Sequence, residues 1–142
     1  MALFNVLIVD DEQEFRDLTM KRLNKRDLQC EGAEGGEQAL KRIKKGDIDV
    51  VLLDVKMPGM GGVETLQEIK RIRPLTEVVM LTGHASVESG IDGMKLGAFD
   101  YLMKPMELEP LLEKLKDAYA KKRIQQDKIE KAQMKKDLAI PS

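Results

Sequence analysis

Five times along this chain a short apolar run gives way to a segment of helical periodicity, and no other feature constrains the fold as strongly. FNVLIV (4–9) reads as a strand, and residues 12–25 follow with Phe15, Leu18, Thr19 and Leu23 on one helical face. LQCEGA (28–33) is a weaker strand, and residues 36–45 set Ala39, Leu40 and Ile43 on a second helix. DVVLL (49–53) leads into a helix marked by Val63, Leu66 and Ile69 that stops before Pro74. EVVML (77–81) leads into one marked by Val87, Ile91 and Met94 that ends at Gly97, and FDYLM (99–103) precedes a last helix lined by Leu108, Leu111, Leu112, Leu115 and Tyr119.

Strand–helix alternation at this spacing predicts an α/β fold, a doubly wound five-stranded parallel sheet with helices on both faces. The first, third and fourth strands are continuously apolar, as strands buried on both sides are, whereas the second and fifth carry polar residues such as Gln29, Glu31 and Asp100. Strands two and five therefore suit the edges, which fits the order 2-1-3-4-5, one of the common orders of doubly wound sheets.

Sheets of this kind bind ligands beyond the carboxyl ends of their strands. There the first strand delivers Asp10 and Asp11, the third Asp54, the fourth Thr82-Gly83 and the fifth Lys104-Pro105. Asp54 is aimed out of the most hydrophobic stretch, VVLLD, and is followed by Pro58, Gly59, Gly61 and Gly62, a turn that leaves its approach side open. Three carboxylates brought together repel one another unless a proton or a cation sits among them. Oxygen-only ligands with room for water suit Mg²⁺. Lys104 as a point charge and Thr82 as a hydroxyl donor suit an anion sharing that metal. The set describes phosphoryl transfer onto Asp54, a competent nucleophile for an acyl phosphate. Asp10 and Asp11 taken alone could equally cap the helix that follows them.

VLIVDDE (6–12), VLLDVKMPGMGG (51–62), VMLTGHAS (79–86) and GAFDYLMKP (97–105), in this order and spacing, resemble the receiver domain of response regulators in two-component signalling. The resemblance covers residues from about 4 to 120 and implies a CheY-like, flavodoxin-like fold. It implies that Asp54 accepts a phosphoryl group from a phosphohistidine on a sensor histidine kinase or phosphotransfer protein. It further implies that Asp10, Asp11, Asp54 and the backbone carbonyl of Lys56 hold Mg²⁺, that Lys104 contacts the phosphoryl oxygens, and that Thr82 and Tyr101 are the switch pair. The face built by the fourth helix, fifth strand and fifth helix would then control a downstream partner, an effector domain or a phosphorylation-dependent homodimer. A cis Lys104–Pro105 bond is also implied. Such a domain assists its own phosphorylation and dephosphorylation but turns over no external substrate. Lys56 and His84 occupy positions that tune phosphoryl lifetime in the family, although His84, the single histidine, also reads as an ordinary rim residue.

Other functions fit less well. A haloacid-dehalogenase-type phosphatase needs a second acid two residues past its nucleophile, where this chain has Lys56. A flavin carrier needs a Ser/Thr-rich loop where Asp10-Asp11-Glu12 stand, and neither GxxxxGK[ST] nor GxGxxG occurs. A docking scaffold indifferent to phosphorylation would have no use for the acidic cluster. The single cysteine, Cys30, reads as a small hydrophobe and suits a reducing compartment. MALFNVLIVDDE has no basic leader, and no apolar run nears the roughly 18 residues that span a bilayer, so a cytoplasmic protein without membrane contact is expected. Residues 120–142 hold seven Lys/Arg against three Asp/Glu, while the rest is acidic. The expected division is a domain over 1–120 and a charged helical extension or linker over 121–142. Ile124, Ile129, Met134 and Leu138 keep no clean heptad, and this segment has no DNA-reading motif, so direct nucleic-acid contact is not expected.

Overall fold

A computed structural model describes residues 3–83 and 87–138, apart from the side chain of Val87. Elements alternate throughout: β1 (Asn5–Val9), α1 (Gln13–Asn24), β2 (Gln29–Ala33), α2 (Gly36–Lys44), β3 (Val50–Asp54), α3 (Gly62–Ile72), β4 (Glu77–Thr82), α4 (Val87–Lys95), β5 (Asp100–Met103) and α5 (Leu108–Leu138). The strands form one parallel sheet in the order β2-β1-β3-β4-β5, so the polar second and fifth strands do lie at its edges.

Strand side chains alternate between the two faces, and each face has its own core. Leu7, Val9, Val51, Leu53, Val78 and Met80 point to one side, where Ala39 and Ile43 of α2 and Leu66 and Ile69 of α3 cover them. Val6, Ile8, Val50, Leu52, Val79 and Leu81 point to the other, where Leu23 of α1 and Leu111, Leu112, Leu115 and Ala118 of α5 cover them. Continuous Val/Ile/Leu runs in the three inner strands are what two buried faces require.

Two expected helix faces differ from those observed. Leu18 was expected inward but is 47% exposed. The inward line of α1 runs through Phe15, Thr19 and Leu23 at four-residue spacing, and Leu18 falls about 100° off it. On α4, Ile91 and Met94 were expected to mark the buried side, yet both are exposed, and the buried positions are Gly90 and Gly93. An i, i+3 stripe of glycines and one of apolar residues have the same period, so periodicity could not say which stripe meets the sheet. Close packing chose the glycines.

α5 continues without a break through the expected boundary at residue 120. It is tied to the domain as far as Lys122. The Phe4 and Tyr119 rings stack 4.5 Å apart, Lys121 lies 3.4 Å from the buried Glu77, and Lys122 bonds Asp49 at 2.6 Å. Beyond it Ile124, Ile129, Met134 and Leu138 are exposed. Among the described residues no helix is long and apolar enough to cross a membrane. Leu115→Ala, which empties a fully buried site, is expected to cost about 2–5 kcal/mol in urea denaturation. Leu138→Ala, at the exposed end of the same helix, is expected to stay within about 0.5 kcal/mol.

Candidate functional site

The register of the sheet builds the site. Val9 of β1 pairs with Leu53 of β3, so the residues just after them, Asp10 and Asp54, emerge side by side from adjacent strands. Carboxylate oxygens of Asp10, Asp11 and Asp54 all lie within 4.8 Å of one another. Asp10 is fully buried, Asp54 nearly so, and Asp11 exposed. β5 ends close by, and its Lys104 reaches back over the rim, donating to Asp10 Oδ2 at 2.8 Å and standing 4.0 Å from Asp54 Oδ2 and 3.8 Å from Glu12 Oε1. The Lys104–Pro105 peptide bond is cis.

Asp10 is held on every side. Its Oδ1 accepts the Glu12 amide at 2.9 Å, its own amide donates to the Ala33 carbonyl at 3.1 Å, and Arg16 Nη1 donates to its carbonyl at 2.7 Å. Arg16 lies across β2 at Gly32, where a Cβ would stand 2.9 Å from Arg16 Cδ. Asp54 is fixed by its place in a fully buried strand. α3 starts directly beneath it, because Gly62 packs where a Cβ would meet the Asp54 carbonyl oxygen at 2.6 Å. Only glycine lets the helix begin that close to the strand end.

Burial, followed by the field of Asp10, pushes the Asp54 carboxyl up to about 6, although Lys104 and a hydrogen bond from the Lys56 amide pull the other way. Burial opposes the charge on Lys104, but its bond to Asp10 and the fields of Asp54, Asp10 and Glu12 outweigh that and hold its pKa above the ordinary lysine value. One ammonium thus faces three clustered carboxylates. Hard oxygen donors, two of them inside and one open to water, fit a hard divalent cation.

Thr82, fully buried at the end of β4, has its Oγ1 3.5 Å from the Leu102 carbonyl. Tyr101 is half-buried and packs against the core on the α2–α3 side of the sheet. Both meet α4 at Gly90, where a Cβ would lie 3.0 Å from Thr82 Cγ2 and 3.1 Å from Tyr101 Cδ2. Lys56 is exposed two residues past Asp54, and His84 lies outside the described residues. The structure therefore brings Asp10, Asp11, Asp54 and Lys104 together and sets Thr82 and Tyr101 as a pair against α4. Sequence reasoning missed three contributors. Arg16 and Phe15, whose ring lies under the Lys104 ammonium, fall inside an ordinary helical segment, and Gly90 carries no signal of its own in the sequence.

The response regulator receiver domain family matches residues 6–116. A transcriptional regulatory protein, ZraR of Escherichia coli strain K12, is 35% identical over 116 residues, covering 82% of this chain and 26% of that protein. A putative NtrX-like response regulator of Rickettsia bellii is 33% identical over 132 residues, covering 92% of this chain and 28% of its own length. Among solved structures, a response regulator receiver domain protein of Clostridium thermocellum superposes with a TM-score of 0.83 at 33% identity, covering 86% of this chain and 98% of that one. The chain spans about a quarter of the length of the curated relatives it matches.

The raised Asp54 pKa has a consequence for stability. Between the ordinary value of 3.8 and about 6 the folded chain binds a proton that the unfolded chain does not. The penalty is therefore absent below pH 4, grows as pH rises through that window, and is complete above it. Asp54→Asn is expected to stabilise the metal-free protein at pH 8 by on the order of 1–3 kcal/mol. Urea denaturation should show the gain vanishing below pH 4 and shrinking when a divalent cation is added.

Proposed function

The chain belongs to the receiver-domain family of response regulators in two-component signalling, and from that premise we propose that it accepts a phosphoryl group on Asp54 and relays the event through its α4–β5–α5 face. The observation that carries this reading is the convergence of Asp10, Asp11 and Asp54 on one point, with Lys104 2.8 Å from the first and 4.0 Å from the last. The donor would be the phosphohistidine of a sensor kinase or phosphotransfer protein.

Asp10, Asp11, Asp54 and the Lys56 backbone carbonyl would hold Mg²⁺, which when bound supplies positive charge to the incoming phosphoryl oxygens. Asp54, held rigidly at the end of β3, presents one carboxylate oxygen in line with the donor. A bond forms from that oxygen to phosphorus as the bond from phosphorus to the donor breaks, and the donor group leaves with the bonding pair. Lys104 offsets charge on the transferred group. Thr82, bonded only weakly to the Leu102 carbonyl, is free to turn its hydroxyl to a phosphoryl oxygen, and the space it vacates lets the Tyr101 ring move inward. Because Gly90 touches both side chains, their movement bears on α4. The apolar side chains exposed on that face, Ile91, Met94, Leu96 and Met103, are then the surface offered to a partner, an effector domain or a second copy. Beyond Lys122, α5 continues to Leu138 as a charged extension or linker. No steady turnover of an external phosphoester is expected, since Lys56 stands where a hydrolase of the aspartyl-phosphate type needs an acid.

Incubation with acetyl phosphate and Mg²⁺ is expected to add one phosphoryl group by intact mass, and Asp54→Asn to abolish it. An unmodified protein, or an Asp54→Asn variant that still gains the group, would overturn the assignment. Loading with beryllofluoride and Mg²⁺ is expected to change elution on a sizing column or binding to a partner, and Gly90→Ala, which wedges a methyl group between α4 and the Thr82–Tyr101 pair, to blunt that change.

A further inference from the structure

Lys104 is held from four directions. Three are carboxylates, Asp10, Glu12 and Asp54, at 2.8, 3.8 and 4.0 Å. The fourth is the ring of Phe15, whose centroid lies 4.3 Å from the ammonium nitrogen. Phe15 sits in the first turn of α1, just after the acidic pair, and packs against the α1–α5 core. Its ring and Lys104 line one groove of about 390 Å³ with Leu18, Pro105 and Met106.

We propose that Phe15 is a positioning residue for phosphoryl transfer, its ring face being the seat that keeps the Lys104 ammonium at the site once a divalent cation claims Asp10. This inference rests on the functional reading above. In the metal-free protein Asp10 Oδ2 is committed to Lys104. A divalent cation drawn to the same carboxylate competes for that oxygen and repels the ammonium at close range. Lysine hangs on a flexible four-carbon stem and is strongly hydrated, so an ammonium that loses its carboxylate is free to swing into water. The ring attracts it through its quadrupole, and that attraction survives when the carboxylate is taken, because the ring carries no net charge and binds no Mg²⁺. Lys104 then stays within reach of Asp54. With acetyl phosphate as donor, the bond from Asp54 oxygen to phosphorus forms, the bond from phosphorus to the acetate oxygen breaks, and acetate departs with the electron pair. The ammonium offsets charge on the phosphoryl oxygens, and no proton need move. A leucine of similar bulk would fill the groove but offer no such seat.

The test compares the full chain with Phe15→Tyr, Phe15→Leu, Lys104→Met and the Phe15→Leu/Lys104→Met double variant, following phosphorylation by acetyl phosphate and Mg²⁺ through intact mass. A small donor removes any contribution from a protein partner resting on the groove. Phe15→Leu is expected to slow transfer by between about two- and thirty-fold, the range of a cation–π contact, while Phe15→Tyr stays within about two-fold. With Lys104 already replaced, Phe15→Leu should change nothing further. In proton NMR the Lys104 ε-methylene signals should be shifted upfield by the ring in the Mg²⁺-loaded wild type and in Phe15→Tyr, and not in Phe15→Leu. Equal slowing by Tyr and Leu, an unchanged rate in Leu, the same loss with and without Lys104, or no upfield shift in the Mg²⁺-loaded wild type would each overturn the proposal. The last reading stands even if a variant fails to fold. A wild type that acetyl phosphate never modifies would instead bring down the functional reading, which separates the two failures.

Discussion

Crowded negative charge at the carboxyl edge of the sheet is the constraint around which the rest of this structure is arranged. Parallel pairing of β1 with β3 sets Asp10 beside Asp54, and the first turn of the following loop adds Asp11. Such a cluster is unfavourable in itself, and the Asp54 carboxyl is pushed up by burial first and by the field of Asp10 second. The cluster persists because two cores, one on each face, hold the strands that carry it. The site is stiff because it grows out of the most deeply buried part of the molecule.

The opposite edge of the same sheet makes a useful contrast. There the acids at the starts of β3 and β4 are saturated. Asp49 receives Lys122 and the Asn5 amide, and Glu77, fully buried, has both Lys70 and Lys121 beside it. Both of these acids have at least one ammonium beside them. At the carboxyl edge three acids share Lys104. Among the described residues, the acidic cluster that calls for an outside cation lies at the carboxyl end, and the ties from Lys121 and Lys122 of α5 lie at the other. The Phe15 ring belongs to the same economy, since it steadies the one shared cation without adding another charge.

α4 shows how a surface can be made available without being loose. Its glycines let the helix backbone approach Thr82 and Tyr101 closely, and its apolar side chains are left facing away from the sheet. A helix seated on large side chains would have buried those apolar groups and left less to offer a partner. The tight seat also means that a shift of Thr82 or Tyr101 is felt directly by the helix at Gly90.

Much of this was legible in the chain. Inner strands had to be apolar on both faces, so their Val/Ile/Leu runs announced the sheet, and polar Gln29, Glu31 and Asp100 announced its edges. Asp10, Asp11, Asp54 and Lys104 stood out because each follows directly on such a run, where a parallel sheet gathers its strand ends. What periodicity could not decide was which side of a helix faces inward when two stripes share one spacing. The choice between Ile91 and Met94 and Gly90 and Gly93 was settled by how closely backbones can approach, and Leu18 fell outside because the inward line of α1 runs through Phe15, Thr19 and Leu23. Contacts between residues far apart in the chain, such as Phe15 under Lys104, Arg16 against Gly32, and Lys122 on Asp49, leave no local pattern. The sequence by itself determined the order of elements and the residues at the strand ends, because those depend on local hydrophobic spacing. Only the tertiary structure decided which groups neutralise, seat and press upon one another there, because those forces act through space between segments that the chain's own pattern does not link.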